Sequence, residues 1–203
     1  MAIFDPNANY TFRNYFDLGI PAKDIARAFD YQLSRVQLEL PQALDPIDWI
    51  EEVRSRITRV LPYVELNNEV ARREVVIAPV LTELSVQTRA ELRIEYDIRV
   101  SNQLQGTLDY LFEQGTRLLV VEAKQADLTR EFAQLTAELI ALDRFTESPE
   151  DAFVGAVTTG ITWQFGRLHR REKTIEQGLN SYRVPEDLEP LIRILLAVLI
   201  GTN

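Results

Sequence analysis

The stretch "ELRIEYDIRV" (91–100) alternates apolar and polar residues at nearly every step, with Leu92, Ile94, Tyr96, Ile98 and Val100 on one parity. A period of two belongs to a half-buried strand with one wet face, so the chain has to build a sheet and cover it. Two more apolar runs follow directly, residues 105–112 and 117–124, on either side of "EQGT". The three together read as an antiparallel meander. Ahead of them, "NNEVARREVVIAPVLTEL" (67–84) carries an apolar stripe through Val76, Ile77, Val80, Leu81 and Leu84. That spacing predicts a helix with Asn68 as N-cap and with a kink or early end at Pro79. Beyond the meander, "LTREFAQLTAELIAL" predicts a helix capped by Asp127 or Thr129, and "AFVGAV" (152–157) predicts a further strand. The order from residue 68 to 157, helix, three strands, helix, strand, implies an α/β fold around a mixed sheet.

Residues 1–66 read as an N-terminal extension packed on this core, and residues 67–203 as the core with a C-terminal helix from about Glu186. The extension contains a helix over "IPAKDIARAF", a strand in "YQLSRVQLEL" and a helix in "PIDWIEEVRSRITRVL". Trp163 and Phe165 in "TWQFGRL" suit a strand that packs both rings into the core, against the alternative of rings that stack on bases. The tail "LEPLIRILLAVLI" is apolar on nearly every side. It is either a deeply buried helix or a dimer contact, and a homodimer is the expectation taken from it.

At 203 residues the length suits one domain. The chain has no cysteine and a single histidine, His169, which excludes disulfides, thiolate metal sites and a histidine-rich zinc site. No signal core or membrane span is legible, so the expectation is a cytoplasmic protein with no membrane partner. The net charge of −9 argues against a general grip on nucleic acid. The most basic segment, "RLHRREK" (167–173), is the exception. Its Arg167, Arg170, Arg171 and Lys173 are the candidate nucleic-acid contacts, against the plainer reading of a solvated hairpin.

The chemistry concentrates in "GTLDYLFEQGTRLLVVEAKQ" (106–125). Here Glu122 and Lys124 follow a core strand, and Asp109 stands across the hairpin. Charges at the end of a core strand are costly unless paired or bound. With a turn centred on Gln114 and Gly115, Glu113 faces Thr116 and Asp109 faces Val120. Asp109, Val120, Glu122 and Lys124 then share a face. Asp109 and Glu122 become diagonal neighbours, whose repulsion at about 5 Å and an effective dielectric near 20 is roughly 3 kcal/mol. Lys124 offsets part of it, and a divalent cation offsets more. Hard oxygen ligands favour Mg2+ or Mn2+, which suits hydrolysis of a phosphodiester. A structural ion-pair cluster explains the same residues without any ligand. Glu69, seven and eight residues before Val76 and Ile77, puts another charge on the inward stripe.

"LDY", and "EAK" separated from Asp109 by twelve residues, resemble the signature of the PD-(D/E)XK, or restriction-endonuclease-like, nuclease superfamily. The resemblance covers roughly residues 67–165. It is nearest to the nuclease domain of type I restriction-enzyme motor subunits and their stand-alone relatives, whose first helix is similar to "NNEVARREVVIAPVL". The resemblance implies a restriction-endonuclease-like core acting on DNA. Asp109, Glu122 and the Ala123 carbonyl would hold the metal, Glu69 would support it or a second ion, and Lys124 would position the attacking water. Gln134 would fix DNA or the lysine, although helical spacing sets Gln134 apart from the stripe Phe132, Leu135 and Leu139. Leu108 replaces the usual proline, and Glu138 stands where an aromatic is frequent. No helicase motif is present, so restriction would need a separate motor or specificity subunit. The runner-up is a catalytically inactive member of this fold that binds nucleic acid or protein.

Overall fold

The computed structural model describes residues 5, 8–123 and 128–202. An eight-stranded, mostly antiparallel sheet forms the middle layer: β1 (Gln32–Val36), β2 (Glu91–Arg99), β3 (Gln105–Gln114), β4 (Arg117–Ala123), β5 (Ala152–Thr158), β6 (Thr162–His169), β7 (Thr174–Gly178) and β8 (Tyr182–Arg183). The strand order is β1-β7-β6-β5-β4-β3-β2, with β8 on the start of β6. β2, β3 and β4 form the antiparallel meander, and β5 returns parallel to β4.

Helices cover both faces. One layer holds α3 (Ile50–Val60), α4 (Glu69–Arg72), α5 (Ala78–Thr88) and α7 (Leu188–Ile200). Its core joins Ile57, Val80, Leu84, Ile192 and Leu195 to Phe112, Val121 and Trp163 of the sheet. The other layer holds α1 (Phe12–Asp17), α2 (Ala22–Ala28) and α6 (Leu128–Phe145). There Tyr15, Ile25, Phe132, Leu135 and Leu139 pack on Leu111, Val120 and Val157. The described residues up to 66 are thus woven into both layers: they give the sheet strand β1, the helix α3 to the first layer and the helices α1 and α2 to the second. Sequence periodicity marks neither the short helix α1 nor the two-residue strand β8.

Two expectations change. The apolar parity of β2 does not stay on one face. Leu92 packs into the α5 layer, Tyr96, Ile98 and Val100 pack into the α6 layer, and Ile94 is exposed. The switch occurs at Glu95, a non-glycine residue with φ +54°, where the β2–β3 ladder skips a pair. The apolar tail is accounted for within one chain: Leu188, Leu191, Ile192, Ile194, Leu195 and Leu199 of α7 are buried inside this molecule. Its all-round hydrophobicity is that of a core helix and calls for no second copy. Among the described residues, no helix is long and apolar enough to cross a membrane.

One polar tie fixes the second layer. Asp143, near the end of α6, accepts hydrogen bonds from Tyr31 Oη (2.6 Å) and Arg170 Nε (2.6 Å). Arg170 also donates to the Ser148, Glu150 and Thr146 carbonyls and lies over the Phe153 ring. Burial, reinforced by Asp143, pushes the Tyr31 phenol up to about 12. Removing Asp143 would strand a mostly buried guanidinium, so Asp143→Ala should cost about 3 kcal/mol, measured as a lowered urea midpoint at unchanged slope.

Candidate active site

The hairpin between β3 and β4 turns on Gly115 and Thr116, with Gln114 paired to Arg117. Gly115 takes φ +59°, the left-handed geometry that a two-residue hairpin requires and glycine supplies. The register therefore lies two positions from the expected one. The ladder runs to Tyr110↔Val121, and its continuation sets Asp109 directly opposite Glu122 rather than diagonal to it. Because the shift is even, parity survives. Asp109 Oδ2 accepts the Ala123 N–H at 2.8 Å, so this carboxylate reaches across the end of β4.

Glu122 is fully buried. Its Oε1 accepts a hydrogen bond from Gln134 Nε2 at 2.5 Å, and the same nitrogen donates to Glu138 Oε1 at 2.8 Å. Gln134 and Glu138 lie one turn apart on α6, which is buried on nearly all sides beneath α1 and α2. With residues 132–142 of that helix all buried, the stripe Phe132, Leu135 and Leu139 does not define a single inward side, and Gln134 reaches the site after all. Gln134 Oε1 is buried and without a hydrogen-bond partner among the described residues.

On the opposite layer, Arg73 gathers the remaining acids. Its guanidinium lies 2.7 Å from Glu95, 3.9 Å from Asp109 and 3.9 Å from Glu69. Its Nε donates to the Tyr110 hydroxyl at 3.1 Å, and its plane covers that ring. Burial works against the Arg73 cation, but the hydrogen bonds to Tyr110 and Glu95 and the charge of Asp109 outweigh it and hold its pKa above the ordinary arginine value. Two backbone departures converge here. A π turn over Arg73–Ile77 joins α4 to α5, just ahead of Pro79, whose missing N–H cannot bond the Val75 carbonyl. The left-handed Glu95 lies alongside it. Wide helical turns and strained residues of this kind collect at functional sites.

The other candidate positions are placed as follows. Glu69 is half-buried in the first turn of α4, beside the N-cap Asn68, whose side chain accepts the Ala71 N–H. Ala123 is buried at the end of β4. Lys124 and the candidate cap Asp127 lie outside the described residues. The β6–β7 hairpin pairs His169 with Ala152, the first residue of β5, which is the end of the sheet opposite Asp109 and Glu122. There Arg170 is committed to the fold, Arg167 holds Glu176 at 2.7 Å, and Lys173 lies 5.8 Å from the Tyr31 ring. Arg171 is exposed and paired with Asp151 at 2.9 Å, and Lys173 is exposed as well. Trp163 is buried, with Nε1 donating to the Gly160 carbonyl. The sequence singles out neither Arg73 nor Glu95, and marks Glu138 only as standing where an aromatic is frequent. The one available signal was an arginine four residues after Glu69, a spacing that ordinarily marks a surface ion pair.

Mg2+ typically takes one or two protein carboxylates and keeps several waters. Asp109, Glu122 and the Ala123 carbonyl are hard oxygen donors at one strand end, and Gln134 adds a buried acceptor, so the donor set fits such an ion. Among the described residues no group of three or more acidic or histidine side chains forms a ready cluster. No family model matches the chain, and no curated protein matches it.

Two outcomes follow from these electrostatics. Arg73→Met leaves Glu69, Glu95 and Asp109 facing one another without the guanidinium. It should cost about 2 kcal/mol at pH 7, read as a lowered urea midpoint. At the other end of the sheet, burial alone would raise the Glu176 pKa, but His169 and Arg167 outweigh it and lower it. The stability this carboxylate contributes is therefore present at neutral pH and lost as the pH falls through its depressed folded pKa. Glu176→Gln should flatten the acid limb of the stability curve.

Proposed function

We propose that this protein is a Mg2+- or Mn2+-dependent DNA endonuclease with a restriction-endonuclease-like core. The observation that carries the reading is the meeting of Asp109 with Glu122 at the end of β4, with Gln134 hydrogen-bonded to Glu122. The resemblance asks for these three residues together, and helical periodicity did not foretell the third.

In this reading, the Ala123 N–H orients Asp109 and the Gln134 amide orients Glu122, so both carboxylates are positioned before substrate arrives. A divalent ion bound at these oxygens supplies Lewis-acid polarisation of the phosphoryl group and a lowered pKa for bound water. Lys124, next in the chain after Ala123, orients the attacking water or stabilises the charge that develops on the phosphoryl oxygens. Arg73 lies against Asp109 and anchors the α4 turn that carries Glu69. The substrate is DNA, and selection of a site on it falls to a partner subunit or to surfaces beyond this end of the sheet.

A second reading has one specific observation behind it. The Arg73 guanidinium already sits among Glu69, Glu95 and Asp109, which supplies a cation with no metal. On that basis the fold is an inactive binding module and the acids are structural.

Nicking of supercoiled plasmid separates the two. The nuclease reading expects cleavage with Mg2+ or Mn2+ that falls about 100-fold or more in Asp109→Asn, Glu122→Gln and Lys124→Ala. Equal nicking by wild type and all three variants would overturn it. No nicking by any of them, together with a melting temperature indifferent to divalent ions, would favour the binding module.

A further inference from the structure

A cavity of about 560 Å³ opens between the loop joining α1 to α2, β1, β7 and α6. It lies three strands along the sheet from Glu122, about 14 Å away at ordinary strand spacing, and shares no residue with the acidic cluster. Ile20, Pro21, Leu33 and Ala133 give it apolar walls. Its most buried polar lining residue is Gln177, 5% exposed. The Gln177 side-chain amide makes no hydrogen bond among the described residues.

Positive charge is added at the rim. The parallel register of β1 and β7 sets Arg35 opposite Gln177, and Lys23 stands at the start of α2. Neither cation makes an ion pair among the described residues, in a chain whose net charge is −9. The nearby carboxylates are engaged elsewhere: Asp24 faces Arg27, and Glu176, on the other parity of β7, holds Arg167 and His169. A cavity of this volume suits a small molecule. A purely apolar occupant would leave the Gln177 amide desolvated and unbonded.

We infer that this cavity binds a nucleoside 5′-phosphate, free or as the end of a nucleic-acid strand. A base fills the apolar part with its flat faces, and its edge offers the donor and acceptor that a glutamine amide pairs with. The phosphate lies at the rim, where the planar fork of Arg35 and the ammonium of Lys23 meet its oxygens. The site needs neither a metal nor strand cleavage, so it stands or falls independently of the nuclease reading.

Calorimetric titration of the full chain with the adenosine, guanosine, cytidine and uridine monophosphates, without divalent metal, tests it. Saturable binding is expected, with different affinities among the four bases. Arg35→Gln, at an exposed position, should weaken all four at least about 10-fold, equivalent to about 1.4 kcal/mol. Gln177→Leu should narrow the differences between bases while phosphate-dependent binding persists, and a melting curve of each variant checks its fold. A short single strand bearing a 5′-phosphate separates the sources: tighter binding than the monomer assigns a strand end, and equal or weaker binding assigns the free nucleotide. No binding of any monophosphate or strand, unchanged affinity in Arg35→Gln, or binding of a long-chain fatty acid in place of nucleotides would overturn the inference.

Discussion

A glutamate with no exposed surface, at the end of a strand buried on both faces, is the constraint around which much of this molecule is arranged. An ionised carboxylate there has to be met by dipoles or charge. Gln134 meets it from α6, so α6 has to run close over the end of β4 with a polar pair, Gln134 and Glu138, turned inward. Gly155 and Gly166 permit that close approach: a Cβ at either would fall 2.7 Å from Leu135 or 2.5 Å from Phe132. A helix pressed so tightly on the sheet needs a cover for its remaining apolar residues, and α1 and α2 provide it.

The opposite layer solves a matching problem with a cation. Three acids approach one point from α4, β2 and β3, and Arg73 reconciles them. Placing that guanidinium requires a widened turn in the helix, and placing Glu95 requires a left-handed residue in a strand. The two irregularities are thus one feature, the backbone cost of bringing like charges to the same place. It also explains why β2 changes which layer it serves partway along its length.

Much of the order of elements was legible because periodicity reports burial, and burial here is regular. β3, β4, the helix ahead of the meander and the return strand carry apolar runs that match their burial, while β2 departs from its repeat at Glu95. The register of the hairpin was not legible from polarity alone, since shifts of two residues keep every side chain on its face. Only the conformational preference of Gly115 decides it. Gln134 was named through resemblance and not through spacing, because a helix covered on every side presents no single stripe. Arg73 was missed because its role depends on a π turn, which moves residues off the ordinary helical wheel. The tail was ambiguous for a related reason: hydrophobicity on all sides demands a cover but does not say whose.

The edge strand β1 carries a last implication. It pairs in parallel with β7, and just beyond it the Leu38 N–H is held by Asn180, 142 residues later. During synthesis on the ribosome, β1 emerges early, while the strand that receives it is made only after the meander, α6 and β5. Closing so long a loop comes at a high entropic cost and late in folding. Until then the apolar side chains of β1 are without their final cover. The nascent chain therefore carries a span whose strand-edge backbone groups stay unpaired until β7 is made, the kind of edge that favours pairing with other chains.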